Sequence, residues 1–278
     1  MRTKIYFIAG LFLIFSSCRK ENGPISFDYG AKNDSAVFYF NKGWEHIMDY
    51  GQWTLSERAF RKAVSFDSTF LIGKSLVGKI TQNLEERMQL SQDLELQKHS
   101  LSHDNLLLME ISLTTIKLMN ARDQQQVLKP EFFTDFRNIG EHNYRQFVHK
   151  YPHESYMKAE YIEFLHAQHG PELALDSLQL LTSEKQKTLP FFISYTAVLE
   201  SELGWHTEAL EKAAFLEKTI NNPKVPAPHM LYAQIYADMD SLSLAKTYLD
   251  KVIALDPNHS IAQRLNENIT TKLESLSK

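Results

Sequence analysis

The chain has 278 residues, 23% of them charged, with 10 Gly, 9 Pro and a single Cys. Glycine and proline together make up about 7%, against a usual share of roughly 12%, which argues against many short strands and for long helices with short connections. A net charge of −4 leaves no basic footprint for nucleic acid, and one cysteine excludes a disulfide framework and a cysteine-rich zinc site.

At the N-terminus, Arg2 and Lys4 precede an apolar run over residues 5–15, and Ser16, Ser17 and Cys18 follow it. A membrane-spanning helix needs about 20 apolar residues, so this run is too short to span and has the length of a signal-peptide core. Phe15-Ser16-Ser17-Cys18 resembles the lipobox of a bacterial lipoprotein signal, with Phe15 where the family usually has Leu. The resemblance implies that residues 1–17 are removed, that Cys18 is lipidated, and that the acyl chains anchor the protein in the bacterial cell envelope. Arg19 stands where enterobacterial lipoproteins held at the inner membrane carry Asp, so the implied destination is the outer membrane. Residues 18–34 are polar and punctuated by Gly and Pro, which predicts a lipidated cysteine and a flexible tether.

From residue 35 onward the hydrophobic spacing is helical, and it repeats. Phe40, Gly51, Trp53, Phe60, Ala63 and Phe66 mark helix, turn and helix over 35–68. Residues 71–97 read as a hairpin turning near Asn83. Residues 101–119 and 131–151 read as a longer pair stopped by Pro152, with Ser102-His103-Asp104-Asn105 suiting a helix start. Clearer units follow over 155–188, 190–223 and 226–259, the first two turning at Gly170-Pro171 and Gly204. In the last unit, Tyr232, Ala233 and Tyr236, then Leu242, Ala245, Leu249, Val252 and Leu255, recur at helical spacing. A turn over 238–241 separates the two runs, and Asp256-Pro257 stops the second. Ala174, Ala209 and Ala245 recur at intervals of 35 and 36 residues. Residues 260–276 read as a closing helix that caps the array.

The unit of helix, tight turn, helix and proline, with small residues at Ala233 and Ala245, resembles the tetratricopeptide repeat (TPR). The resemblance implies an all-α, right-handed α-solenoid of about six helical hairpins over 35–278, with a C-terminal capping helix and a concave groove lined by the first helices. Carried over residue by residue, the groove positions include Tyr156, Glu163 and His166, then Phe191, Val198 and Glu202, then Met230, Gln234 and Asp238. This lining lacks the Lys/Asn clamp with which some relatives grip a terminal carboxylate. It suits a segment with apolar anchors and some basic residues. Trp53 and Trp205 fall at equivalent second-helix starts, where a large ring is expected to wedge neighbouring hairpins together.

Signs of chemistry are absent from the sequence. There is no glycine-rich phosphate loop, G-x-S-x-G elbow or H-E-x-x-H motif. His99 with His103, His149 with His153, and His166 with His169 offer two ligands each, short of the three or four a zinc site takes. No catalytic residue, metal or cofactor is therefore expected. The implied function is a lipid-anchored, non-catalytic scaffold that binds a protein or peptide partner in its groove at a bacterial membrane. Two alternatives stay open: a subunit of an outer-membrane assembly machine, and a glycan-binding lipoprotein of a polysaccharide-uptake system.

Overall fold

The computed structural model describes residues 27–276. The expected signal sequence and Cys18 lie outside them. Among the described residues every regular element is helical: α1 (Asp34–Trp44), α2 (Trp53–Phe66), α3 (Leu71–Ile80), α4 (Leu84–Gln97), α5 (His103–Asp123), α6 (Pro130–Lys150) and α7 (Ser155–His169). There follow α8 (Pro171–Leu181), α9 (Glu184–Lys187), α10 (Pro190–Glu202), α11 (His206–Ile220), α12 (Pro226–Asp238), α13 (Leu242–Leu255) and α14 (Ser260–Leu276). No helix among the described residues is long and apolar enough to cross a membrane.

Local chemistry sets the ends of these helices. Asn33, Asn83 and Ser102 cap α1, α4 and α5 by accepting from backbone N–H groups of the first turn. Proline opens α6, α8, α10 and α12, where its missing N–H costs nothing. Gly204 turns the chain after α10 at φ +85°, a conformation that a side chain would resist.

The helices pack in neighbouring pairs, as in a helical repeat solenoid: α1 with α2, α3 with α4, α5 with α6, α7 with α8, α10 with α11, and α12 with α13. The final helix, α14, covers α13. Ala174, Ala209, Ala233 and Ala245 are fully buried within or between these pairs, where a missing side chain lets helices approach closely. The core follows the same logic. One large cluster spans α1 to α7, and three smaller ones link α7 to α10, α10 to α12, and α12 to α14.

In four places the structure departs from the sequence expectations or adds to them. The last turn of α1 widens into a π-helical segment, Glu45–Asp49. The short helix α9 is added by a capping box between Ser183 and Gln186. Residues 27–33, grouped by composition with the tether, are bound to the solenoid: Phe27 N and the Tyr29 hydroxyl donate to the two Glu154 oxygens, each at 2.8 Å, and Lys32 N donates to Asp67 at 2.7 Å. The Phe27 ring stands edge-on to Phe147 at 4.8 Å, so aromatic burial overrides the polar composition of the segment. Lastly, Trp205 is 50% exposed and does not wedge hairpins together, whereas Trp53 lies against His259 at 5.7 Å. The difference is that the C-terminal chain passes over Trp53.

Candidate functional site

That passage of the C-terminal chain shapes the inner face. The Ala227 amide donates to the Tyr50 carbonyl at 3.1 Å, and Thr54 donates through its amide and hydroxyl to Asp256. Gly51, at φ +64°, would place a Cβ 3.4 Å from Ala227 N, so the turn meets α12 most comfortably without a side chain. Asp49 pins the same turn from the other side, accepting from the Tyr156 hydroxyl at 2.9 Å and from Phe191 N at 3.2 Å. Burial raises the Asp49 carboxyl above its usual range, against the lowering effect of these two donors.

Behind this closure lies a cavity of about 280 Å³, bounded by α1, α2, α3, α7, α10 and α12 and by the start of α14. Its walls are mainly apolar, with Trp44, Met48, Phe191, Val198 and Met230 prominent. A second cavity of about 280 Å³ adjoins it between α10, α12 and α14, sharing Val198, Gln234 and Ile261. Glu202, Asp238 and Arg264 stand around this outer space.

Few polar groups face the central cavity, and most are already engaged. Lys79 donates to both Glu160 oxygens, at 2.6 and 2.7 Å, and Glu160 also accepts from the Tyr144 hydroxyl at 2.7 Å. His259 accepts at Nδ1 from Ala262 N at 3.2 Å, and burial pushes its ring down to about 4, so it is neutral at physiological pH. Among the charged groups Glu163 is the exception. Its carboxyl makes no hydrogen bond or ion pair to another described residue. It lines the cavity and is only partly exposed, and desolvation by burial, with the nearby Glu160 charge, raises it to about 8 against the lowering effect of Lys79.

Seven of the nine groove positions expected from the repeat frame line these two adjoining cavities. Glu163, Phe191, Val198, Met230 and Gln234 line the central cavity; Glu202 and Asp238 line the outer one. His166 joins the two sets, with Nε2 2.9 Å from Glu202 and Nδ1 2.8 Å from the Tyr195 hydroxyl. A carboxylate only accepts, so Nε2 carries a proton. Asp238 accepts from the Ser201 hydroxyl at 2.6 Å, and burial raises its carboxyl above the usual range. Tyr156 stands apart: its ring stacks on Trp44 at 5.9 Å and its hydroxyl is held by Asp49.

Reasoning from sequence missed the wall contributed by the first hairpins, namely Trp44, Met48 and Lys79, together with Glu160 on α7 and the closing His259. One signal was available. Trp44 is a large ring in the sequence of α1, and here it is buried and borders the cavity.

Among the described residues no group of three or more His, Cys, Asp or Glu is gathered to hold a metal ion. No protein-family model matches the chain, and no curated protein matches it in sequence.

Proposed function

We propose that this protein is a lipid-anchored, non-catalytic binding protein of the bacterial cell envelope, a right-handed TPR-like solenoid of about six hairpins with α14 as its cap. The lipobox at Phe15-Ser16-Ser17-Cys18 supports an anchor at Cys18, and Arg19 supports the outer membrane as its destination. Repeat spacings of 35 and 36 residues, with fully buried alanines at the repeating positions, support the TPR-like frame. The observation that carries the binding role is the pair of adjoining inner cavities, walled largely by first helices and lined by seven residues that the repeat frame assigns to its groove. Closure by the α1–α2 turn makes this a site for an inserted group of a partner segment, with the rest of the segment outside.

Photo-crosslinking in intact cells tests the reading. A photoreactive side chain at Gln234 should trap a discrete partner, and one at Leu180, which is 85% exposed outside the cavity, should not. Filling the cavity with Val198→Trp should abolish the Gln234 cross-link. Equal trapping from both positions would place the partner elsewhere.

A further inference from the structure

The central cavity has a chemical bias that its shape alone does not explain. Of its lining residues, Lys79 is the one Lys or Arg, and Glu160 already neutralises it through two hydrogen bonds. Glu163 has no such counterpart, and the outer cavity adds Glu202 and Asp238 against Arg264. An anion would find no unpaired Lys or Arg in the central cavity. A sugar would find few free neutral polar groups, Ser194, Gln234 and the Trp44 Nε1 among them, set among apolar and aromatic walls. A cation would find an unshared carboxylate in a cavity that the Trp44 and Phe191 rings also line, and aromatic faces favour positive charge. The Lys79 ammonium already lies 5.9 Å from the Trp44 ring centroid. The space of about 280 Å³ has room for a small group.

We propose that the central cavity binds a primary ammonium group carried on a short apolar body, with Glu163 receiving the charge and Trp44, Phe191 and Met230 enclosing the body. The proposal rests on the reading that the inner face is the binding face. The group can come from a free amine or from a lysine of the partner segment; the chemistry is the same.

Protons are part of this recognition. With Glu163 raised to about 8, its carboxyl is mostly protonated at pH 7, and an entering ammonium displaces that proton. Affinity therefore rises with pH until Glu163 is ionised without help. The titratable groups around it are Lys79 on α3, Tyr144 on α6, Glu160 on α7, Tyr195 on α10 and His259 before α14, and burial pushes Tyr144 well above its usual value. Of these, His259 sits near 4 and Tyr195 is pushed further above its usual value by burial, so neither changes charge between pH 6.5 and 7.5.

Isothermal titration of the detergent-solubilised full chain tests this, using 2-phenylethylammonium, its uncharged analogue 2-phenylethanol, and a capped Leu-Lys-Leu peptide. At least one ammonium probe should bind the wild type, and Glu163→Gln should weaken that binding at least tenfold. 2-Phenylethanol should bind both proteins alike, and more weakly than the ammonium probe binds the wild type. Ammonium affinity should rise about tenfold between pH 6.5 and 7.5 in the wild type and stay flat in the variant. Dependence on Glu163 for the free amine alone assigns a small-molecule source, and for the peptide alone a partner lysine. Because Glu163 has no protein partner, the variant should keep the wild-type circular dichroism spectrum. Equal ammonium binding to both proteins, or 2-phenylethanol binding as tightly as the amine, overturns the proposal. So does silence from both ammonium probes: with the Gln234 cross-link intact it leaves the binding face standing, and with the cross-link lost it removes both.

Discussion

The carboxylate of Asp256 accepts hydrogen bonds from the amide and the hydroxyl of Thr54, at 2.9 and 2.5 Å, across a separation of 202 residues. In sequence Asp256 ends α13; in space it caps α2, whose own N-cap residue, Gln52, makes no side-chain cap bond. An anion at a helix N-terminus satisfies free N–H groups and meets the positive end of the helix dipole. Asp256→Ala should therefore cost about 1–2 kcal/mol in urea denaturation. Asp250→Ala, which removes a surface ion pair with Lys246, should stay within about 0.5 kcal/mol. Equal losses would mean that Asp256 does not close the array.

Glu163 should make stability fall as pH rises. Its folded carboxyl sits near 8, above the unfolded value of about 4.5, so between those limits the folded state holds a proton that the unfolded state has released. The benefit is complete below pH 4.5 and is lost as pH climbs through 8. His259 acts with the opposite sign: its folded value near 4 lies below the unfolded 6.5, so its contribution is present above pH 6.5 and is lost as pH falls towards 4. Comparing wild type with Glu163→Gln isolates the glutamate. The variant should gain on the wild type by up to about 1.4 kcal/mol per pH unit between pH 6.5 and 8, an upper limit because Glu163 is only partly buried. Parallel stability curves would show an ordinary Glu163.

The repeat frame makes a steric prediction. Ala209 and Ala245 are fully buried, so Leu at either position should overpack the helices by roughly 1–3 kcal/mol in chemical denaturation. Ser275, exposed in the last turn of α14, should accept Leu almost silently. Equal effects at all three would displace the frame.

Arg87 tests the middle of the array, where the repeat pattern is weakest. Its guanidinium is buried and donates to Asn120 at 2.7 Å, to the Thr81 carbonyl at 3.1 Å and to Asp123, tying α4 to α5 and to the end of α3. Arg87→Ala removes every one of these bonds and should cost about 3–5 kcal/mol. Exposed Arg145, paired with Glu141 one turn away, should lose less than about 1 kcal/mol on the same change. A small loss at Arg87 would mean that α4 and α5 hold together through apolar contact alone.

The anchor prediction is independent of the fold. Cys18→Ser should abolish metabolic labelling with a radioactive fatty acid and leave the protein uncleaved or unanchored, because the acyl chains would have no thiol to join. A processed variant still partitioning with membranes would overturn the lipoprotein reading.

Much of this architecture is legible along the chain because its causes are local. Pro257 after α13, Gly204 at +85° after α10 and Ser102 before α5 act within a few residues of where they stand. The alanines at Ala174, Ala209 and Ala245 repeat because each meets the next helix in the same geometry. Extrapolating that frame also placed Glu163, Phe191, Val198, Met230 and Gln234 on one inner surface, since neighbouring repeats stack in register.

What the sequence by itself determined, then, is the series of helices, most of their boundaries and the inward side of the later ones, all consequences of hydrogen bonding and periodicity within about 40 residues. Only the tertiary structure decided that Tyr50 meets Ala227, that Thr54 meets Asp256, and that Lys79 is spent on Glu160 while Glu163 is left alone. Tyr50–Ala227 and Thr54–Asp256 join segments well over a hundred residues apart, and Lys79 and Glu160 lie in different hairpins. Such partners follow from how small rotations between successive helix pairs add up along the array, and no local spacing in the chain records that sum.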